Sequence, residues 1–239
     1  MTPSLRAGAA AVLAAAVGLA LAGCDSGTSG EAVSEQQSTS GAASSSSATP
    51  TEPETPSPTS PTEAAGPQQT IADYIRENGI QQTPAEPGQP GTPTVDLPTP
   101  AGWVDAGDRT PPGAYRAIVF DDPAAAQDPP MITATMSKLT GNVDPAKILE
   151  YAPGEIKNLP GYENLGDGKA TQLSGFDAYQ VGGAYTRDGV RRMIARKTVV
   201  IPAPDGLFLL ELTADGTEDQ IGPLLDATAT IDEQTVIRP

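Results

Sequence analysis

The chain contains no histidine and one cysteine in 239 residues. The first absence removes the commonest general base and the commonest transition-metal ligand. The second excludes an internal disulfide. Aromatic residues are sparse, at 4%, with a single Trp. Basic residues are outnumbered, 14 Lys plus Arg against 30 Asp plus Glu, for a net charge of −16. That balance argues against nucleic-acid partners and against electrostatic adhesion to anionic lipid. Beyond residue 69 only two serines occur, Ser137 and Ser174, and neither sits in Gly-x-Ser-x-Gly or Ser-x-x-Lys. Gly166-Asp167-Gly168 lacks the ladder of oxygen ligands that Ca²⁺ requires, and no glycine loop suited to phosphate is present. The abundant carboxylates make chance pairs inevitable, and solvated surface charge accounts for them. No catalytic residue, metal or cofactor is assigned, and the chain reads as a binder, not an enzyme.

What is present begins at the N-terminus. Residues 1–23 hold one charge, Arg6, followed by an Ala, Val and Leu run over residues 9–21. This is a positive n-region and an apolar h-region. The run falls short of the roughly 20 apolar residues of a membrane-spanning helix. Leu21-Ala22-Gly23-Cys24 closes it. Small residues before a lone cysteine resemble a bacterial lipobox, so residues 1–23 read as a signal peptide and Cys24 as the lipidation site. An ordinary secretory signal with a leftover cysteine is the alternative. One acyl chain binds a membrane reversibly, whereas the two of a diacylglyceryl group anchor stably. The reading places the protein on the extracytoplasmic face of the cell membrane, held through Cys24.

Residues 25–69 are different material, with 18 Ser or Thr, six Pro, six acidic residues and no Lys or Arg. Too little apolar surface is present to offset ordering entropy. Residues 24–69 therefore read as the lipidated cysteine and a disordered tether, with an r.m.s. span of about 35–40 Å if flexible. Residues 70–239 read as one domain with a single core.

Within that domain, Thr70 can cap a short helix over residues 70–79, with Ile71, Tyr74 and Ile75 on one face. Residues 94–97, 115–120 and 131–139 read as strands. Asp144-Pro145 starts a helix that Pro153-Gly154 must break. Strands over 177–186 and 190–201 meet through Arg187-Asp188-Gly189, a hairpin signal. The run Leu207-Phe208-Leu209-Leu210 is apolar on both sides, which predicts a central strand covered on both faces. Ile221, Leu224, Leu225, Thr228 and Ile231 recur at helical spacing. The sum is an α+β fold, an α/β/α sandwich with a mainly antiparallel central sheet flanked by helices.

Two features stand out as binding elements. Arg187, Arg191, Arg192, Arg196 and Lys197 crowd onto one hairpin. They form either a contact patch, with Arg191 and Arg192 at its centre, or ion pairs with nearby carboxylates. Gly182 and Gly183, between Tyr179 and Tyr185, mark either a bulge or the close approach of a ligand. Trp103, Tyr151, Tyr162, Tyr179 and Tyr185 are candidates to stack on a sugar, with core packing the alternative for Trp103.

Four stretches carry a resemblance: TIADYIRENGIQQTP at 70–84, DPAKILEYAPGEIKNLPGY at 144–162, KTVVIP at 197–202 and TIDEQT at 230–235. In this order they resemble the LpqN/LpqT-type lipoproteins of mycobacteria and their relatives. The resemblance implies a Mog1/PsbP-like fold. It also implies a cell-envelope role beside the large lipid exporters that handle trehalose mycolates. The expected function is that of a non-enzymatic accessory protein binding a trehalose-ester glycolipid or the exporter. A protein-interaction module without a small ligand is the alternative.

Overall fold

The computed structural model describes residues 66–204 and 206–239. The signal segment, Cys24 and the stretch up to residue 65 lie outside the described residues, so the readings made on them are not addressed by the fold.

Thr70 caps α1 (Ile71–Glu77) through a reciprocal box. Its hydroxyl accepts from the Asp73 N–H, and the Asp73 carboxylate accepts from the Thr70 N–H. The Thr70 hydroxyl and Arg76 hold the Asp73 carboxyl down to about 2. Next come β1 (Gln81–Pro84), β2 (Thr94–Asp96), β3 (Trp103–Asp105), β4 (Arg116–Phe120) and β5 (Met131–Thr140). Asp144 caps α2 (Pro145–Tyr151), and a single turn, α3 (Gly154–Lys157), follows the Pro153 break. Then come β6 (Glu163–Asn164), β7 (Lys169–Leu173), β8 (Phe176–Arg187), β9 (Val190–Ala203), β10 (Gly206–Thr217), α4 (Ile221–Gln234) and β11 (Val236–Arg238).

Nine strands form one antiparallel sheet in the order β3-β4-β5-β10-β9-β8-β6. β1 shares the outer edge of β5 with β4, and β7 shares the outer edge of β8 with β6. β10 is central, with Leu210 opposite both Met136 of β5 and Val199 of β9. Leu207 to Leu210 are all buried, as their two-sided apolarity predicts. Alternation divides them between two cores. Leu207 and Leu209 join Leu139, Val200, Ile148 and the apolar side of α1. Phe208, Leu210 and Leu212 join Met136, Val199 and the inner side of α4. Helices thus cover both faces, which makes the architecture α+β with the sheet as middle layer.

The chain reaches the domain on the α1–α3 face. The Asn158 side chain accepts from the Gln68 N–H at 2.7 Å and donates to the Gln68 carbonyl at 2.7 Å. A Cβ on Gly154 would lie 2.1 Å from the Gln69 carbonyl oxygen, so only glycine admits this crossing. At the other end β11 pairs with β2 in a separate two-stranded sheet. The Ile237 N–H there donates to Ser174 Oγ.

Candidate functional site

The site begins with α4. Leu224, Ala227 and Ile231 recur at three and four residues and are buried against the sheet. Burying each Leu or Ile side chain is worth about 1.5–3 kcal/mol. Ile221 and Leu225 fall outside that stripe and remain 40% and 61% exposed. Leu165, from the loop after β6, is 56% exposed. These three apolar side chains rim one groove of about 260 Å³. Three of the chain's six exposed large hydrophobics among the described residues therefore gather at one opening. Clustering of this kind marks an interaction site more than scattered exposure does.

The floor is sheet. Gln180 and Gly182 of β8, Met193 and Ala195 of β9 and Ala214 of β10 lie beneath the inner side of α4. The small residues at 182, 195 and 214 leave the space that larger side chains would fill. Gln180, Ala195, Ala214 and Thr228 also line a smaller recess of about 30 Å³, so the two adjoin. Lys197 and Asp232, which form an ion pair, also line that recess. Both spaces are lined mainly by apolar side chains, beside which Gln180, Thr228 and the Lys197–Asp232 pair offer polar groups. Such a lining suits a ligand with an apolar arm and a hydrogen-bonding head.

Three comparisons with known proteins bear on this geometry. The family model described as "Probable lipoprotein LpqN" matches residues 67–238. The chain belongs to the LpqN lipoprotein family. Its curated relative "Lipoprotein LpqN" of Mycobacterium tuberculosis (strain ATCC 25618 / H37Rv) is 52% identical over 179 residues, covering 74% of this chain and 77% of the relative. A solved structure, "Crystal structure of LpqN involved in cell envelope biogenesis of Mycobacterium tuberculosis", aligns with a TM-score of 0.69 and 51% identity. That alignment covers 73% of this chain and all of the solved one.

In this LpqN-family chain the residues singled out from sequence fall in several places. Gly182 and Gly183 do line the groove. On the reverse side Tyr162 lies over Gly183. A Cβ there would be 2.5 Å from the Tyr162 ring and 2.4 Å from the Glu163 carbonyl oxygen. The Tyr162 hydroxyl donates to the Gly182 carbonyl at 2.9 Å. The glycines thus serve a close approach, and the approaching group is the protein's own ring. Burial raises the Tyr162 pKa. Tyr179 and Tyr185 belong to the same cluster as Tyr162, with Val181, Ile156 and Ile194. The Tyr185 hydroxyl donates to Asp215 at 2.6 Å. Tyr151 packs on Tyr74 with ring centroids 5.7 Å apart. Trp103 is 5% exposed and packs on Phe120. Tyr162, Tyr179 and Tyr185 thus gather with one another, none of the five rings lines the groove, and Trp103 is core.

The hairpin cations are all engaged. Arg191 bridges Glu163 at 2.7 Å and Glu218 at 3.1 Å, and the bond to Arg191 lowers the Glu163 pKa. Arg192 is 3% exposed and binds Asp215 and Asp128. Arg187 lies 3.7 Å from Asp215. Arg196 binds Glu155 and Glu211, and Lys197 binds Asp232. The hairpin therefore presents ion pairs where sequence alone shows a run of positive charge.

Among the described residues no group of three or more His, Cys, Asp or Glu could hold a metal. No helix among them is long and apolar enough to cross a membrane. Sequence reasoning places Leu225 and Ile221 on the helix but misses their exposure. The available signal is an apolar arc on α4 wider than one buried stripe, and Leu165 offers none.

Proposed function

We propose that the chain is a lipid-anchored, non-enzymatic envelope protein that binds a glycolipid of the trehalose-ester type in the groove between α4 and the sheet. The single observation that carries the reading is the convergence of the exposed Leu165, Ile221 and Leu225 on one apolar groove between α4 and the sheet. Each methylene laid against such a surface contributes about 0.8 kcal/mol. The involvement of the solved relative in cell envelope biogenesis supports the same reading. Anchorage is through Cys24, on the extracytoplasmic face of the membrane. The Mog1/PsbP-like description of the fold belongs to this proposal and is supported by helices on both faces of an antiparallel sheet.

Calorimetric titration of a short-chain trehalose ester into the full chain tests the ligand. Saturable binding is expected, and its absence rules out the small-ligand form. The exposed lip supports a second reading, in which it receives an apolar segment of the lipid exporter. That reading predicts exporter capture that Leu225→Asp abolishes without any glycolipid affinity. Mass spectrometry of the mature product tests the anchor, and an unmodified Cys24 thiol refutes it.

A further inference from the structure

A second recess lies on the opposite face of the sheet. It holds about 320 Å³ where β1 and β4 share the edge of β5. Thr135, Ser137 and Glu211 line it, with Gln82 and Pro84 from β1 and Gly113 from the turn before β4.

Its charge is unbalanced. Glu211 receives one long contact, 3.4 Å from Arg196 Nη1, and that same nitrogen is held more closely by Glu155 of α3. One guanidinium serves two carboxylates, which leaves the trio short of one positive charge. The Glu211 side chain is 21% exposed, and burial pushes its carboxyl above the usual range while Arg196 pulls it down. Its neighbours are acceptors. Thr135 stands opposite it across β5 and β10. Ser137 Oγ takes a hydrogen bond from Gln82 at 3.0 Å.

We propose that this recess binds a primary ammonium group, presented by a lysine side chain of a partner protein, with Glu211, Thr135 and Ser137 accepting its three N–H donors. Charge selects the class. An anion meets the surplus carboxylate. A divalent cation finds one carboxylate beside a guanidinium, where hard cations take six or more oxygens. A monovalent ammonium restores the balance and matches three acceptors. The lysine stem has Pro84 to lie against. A chain of net charge −16 also draws basic partners at the encounter stage. This site is independent of the glycolipid groove, from which the sheet separates it.

The test is amide chemical-shift titration of the ¹⁵N-labelled full chain with Nα-acetyl-lysine methylamide. Saturable shifts at Thr135, Ser137 and Glu211 in the millimolar range are expected, with none from the norleucine analogue. Glu211→Gln should weaken binding about tenfold or more, the factor that a charge-assisted hydrogen bond commands. Thr135→Val, which keeps the carboxylate, should weaken it severalfold and serves if Glu211→Gln fails to fold. No saturable shift, an equal response to norleucine, or undiminished affinity in both variants overturns the proposal. Tighter binding of phosphoethanolamine than of the lysine amide overturns the assignment to a protein and points to a lipid head group.

Discussion

The Lys197–Asp232 pair predicts an asymmetry between its two deletions. The Lys197 side chain is 7% exposed beneath α4, whereas that of Asp232 is 37% exposed. Removing the carboxylate strands an ammonium away from water. Removing the ammonium leaves a carboxylate that water already reaches. Deleting one partner of a buried pair costs about 3–5 kcal/mol. Here the recess of about 30 Å³ touching both residues admits a water, which moves the expectation to the low end. Asp232→Ala should therefore cost about 2–3 kcal/mol, some of the loss being offset by alanine's better helix propensity. Lys197→Met keeps the packing of the stem and should cost about 0–1 kcal/mol. The double variant should resemble Lys197→Met alone, since no charge is then stranded. Urea unfolding followed by the fluorescence of the buried Trp103 reads all three. In a thermal scan the Asp232→Ala loss should appear as roughly 4–12 °C in Tm. Equal losses for the two single variants, or a double variant that sums them, would refute the reasoning.

Other expectations concern the groove, the strand glycine and pH. Leu225→Asp should reduce affinity for a trehalose ester about tenfold or more, the worth of one buried apolar side chain. It should change unfolding free energy by no more than about 0.5 kcal/mol, because the residue is exposed. Gly183→Ala forces a methyl into the Tyr162 ring and the Glu163 carbonyl and should cost about 1–3 kcal/mol in urea unfolding; full stability would show that Tyr162 is not held there. The Glu211 carboxyl is raised in the fold from 4.5, so the folded state binds more protons than the unfolded one above that value. Its contribution is favourable at low pH and is lost as pH rises from 4.5 through the raised pKa. Glu211→Gln should thus gain stability relative to the parent over that rise, and parallel pH profiles would count against it. Asp73 runs the other way: held down to about 2 from 3.8, it stabilises above 3.8 and loses this as pH falls toward 2. Asp73→Asn should flatten that acid limb.

Much of the framework is legible in local chemistry. The Thr70 cap, the Asp144-Pro145 helix start, the Pro153 break and the Asp188-Gly189 turn each act over a few residues, and each element appears where those residues put it. The two-sided apolarity of Leu207 to Leu210 likewise fixes β10 at the centre. What stays hidden depends on partners distant in sequence. Gln81–Pro84 is polar, ends in proline and is wholly exposed, and it is a strand only because β5 offers a free edge. Lys169–Leu173 is a strand by pairing with β8. The hairpin cations read as either a patch or ion pairs until acids from Asp128, Glu155, Glu163 and Asp232 arrive opposite them. The groove needs Leu165 brought to α4, and nothing near residue 165 announces that meeting.

The grip of Asn158 on Gln68 has a mechanical side. Any pull arriving through the residues ahead of Gly66 is taken first by the two hydrogen bonds between the Asn158 side chain and the Gln68 backbone and by the Thr70 cap, all on the α1–α3 flank. The full thickness of the sheet stands between that mooring and the helix that walls the groove. Load entering there is met on the face away from α4, so the walls of the groove stand outside its path.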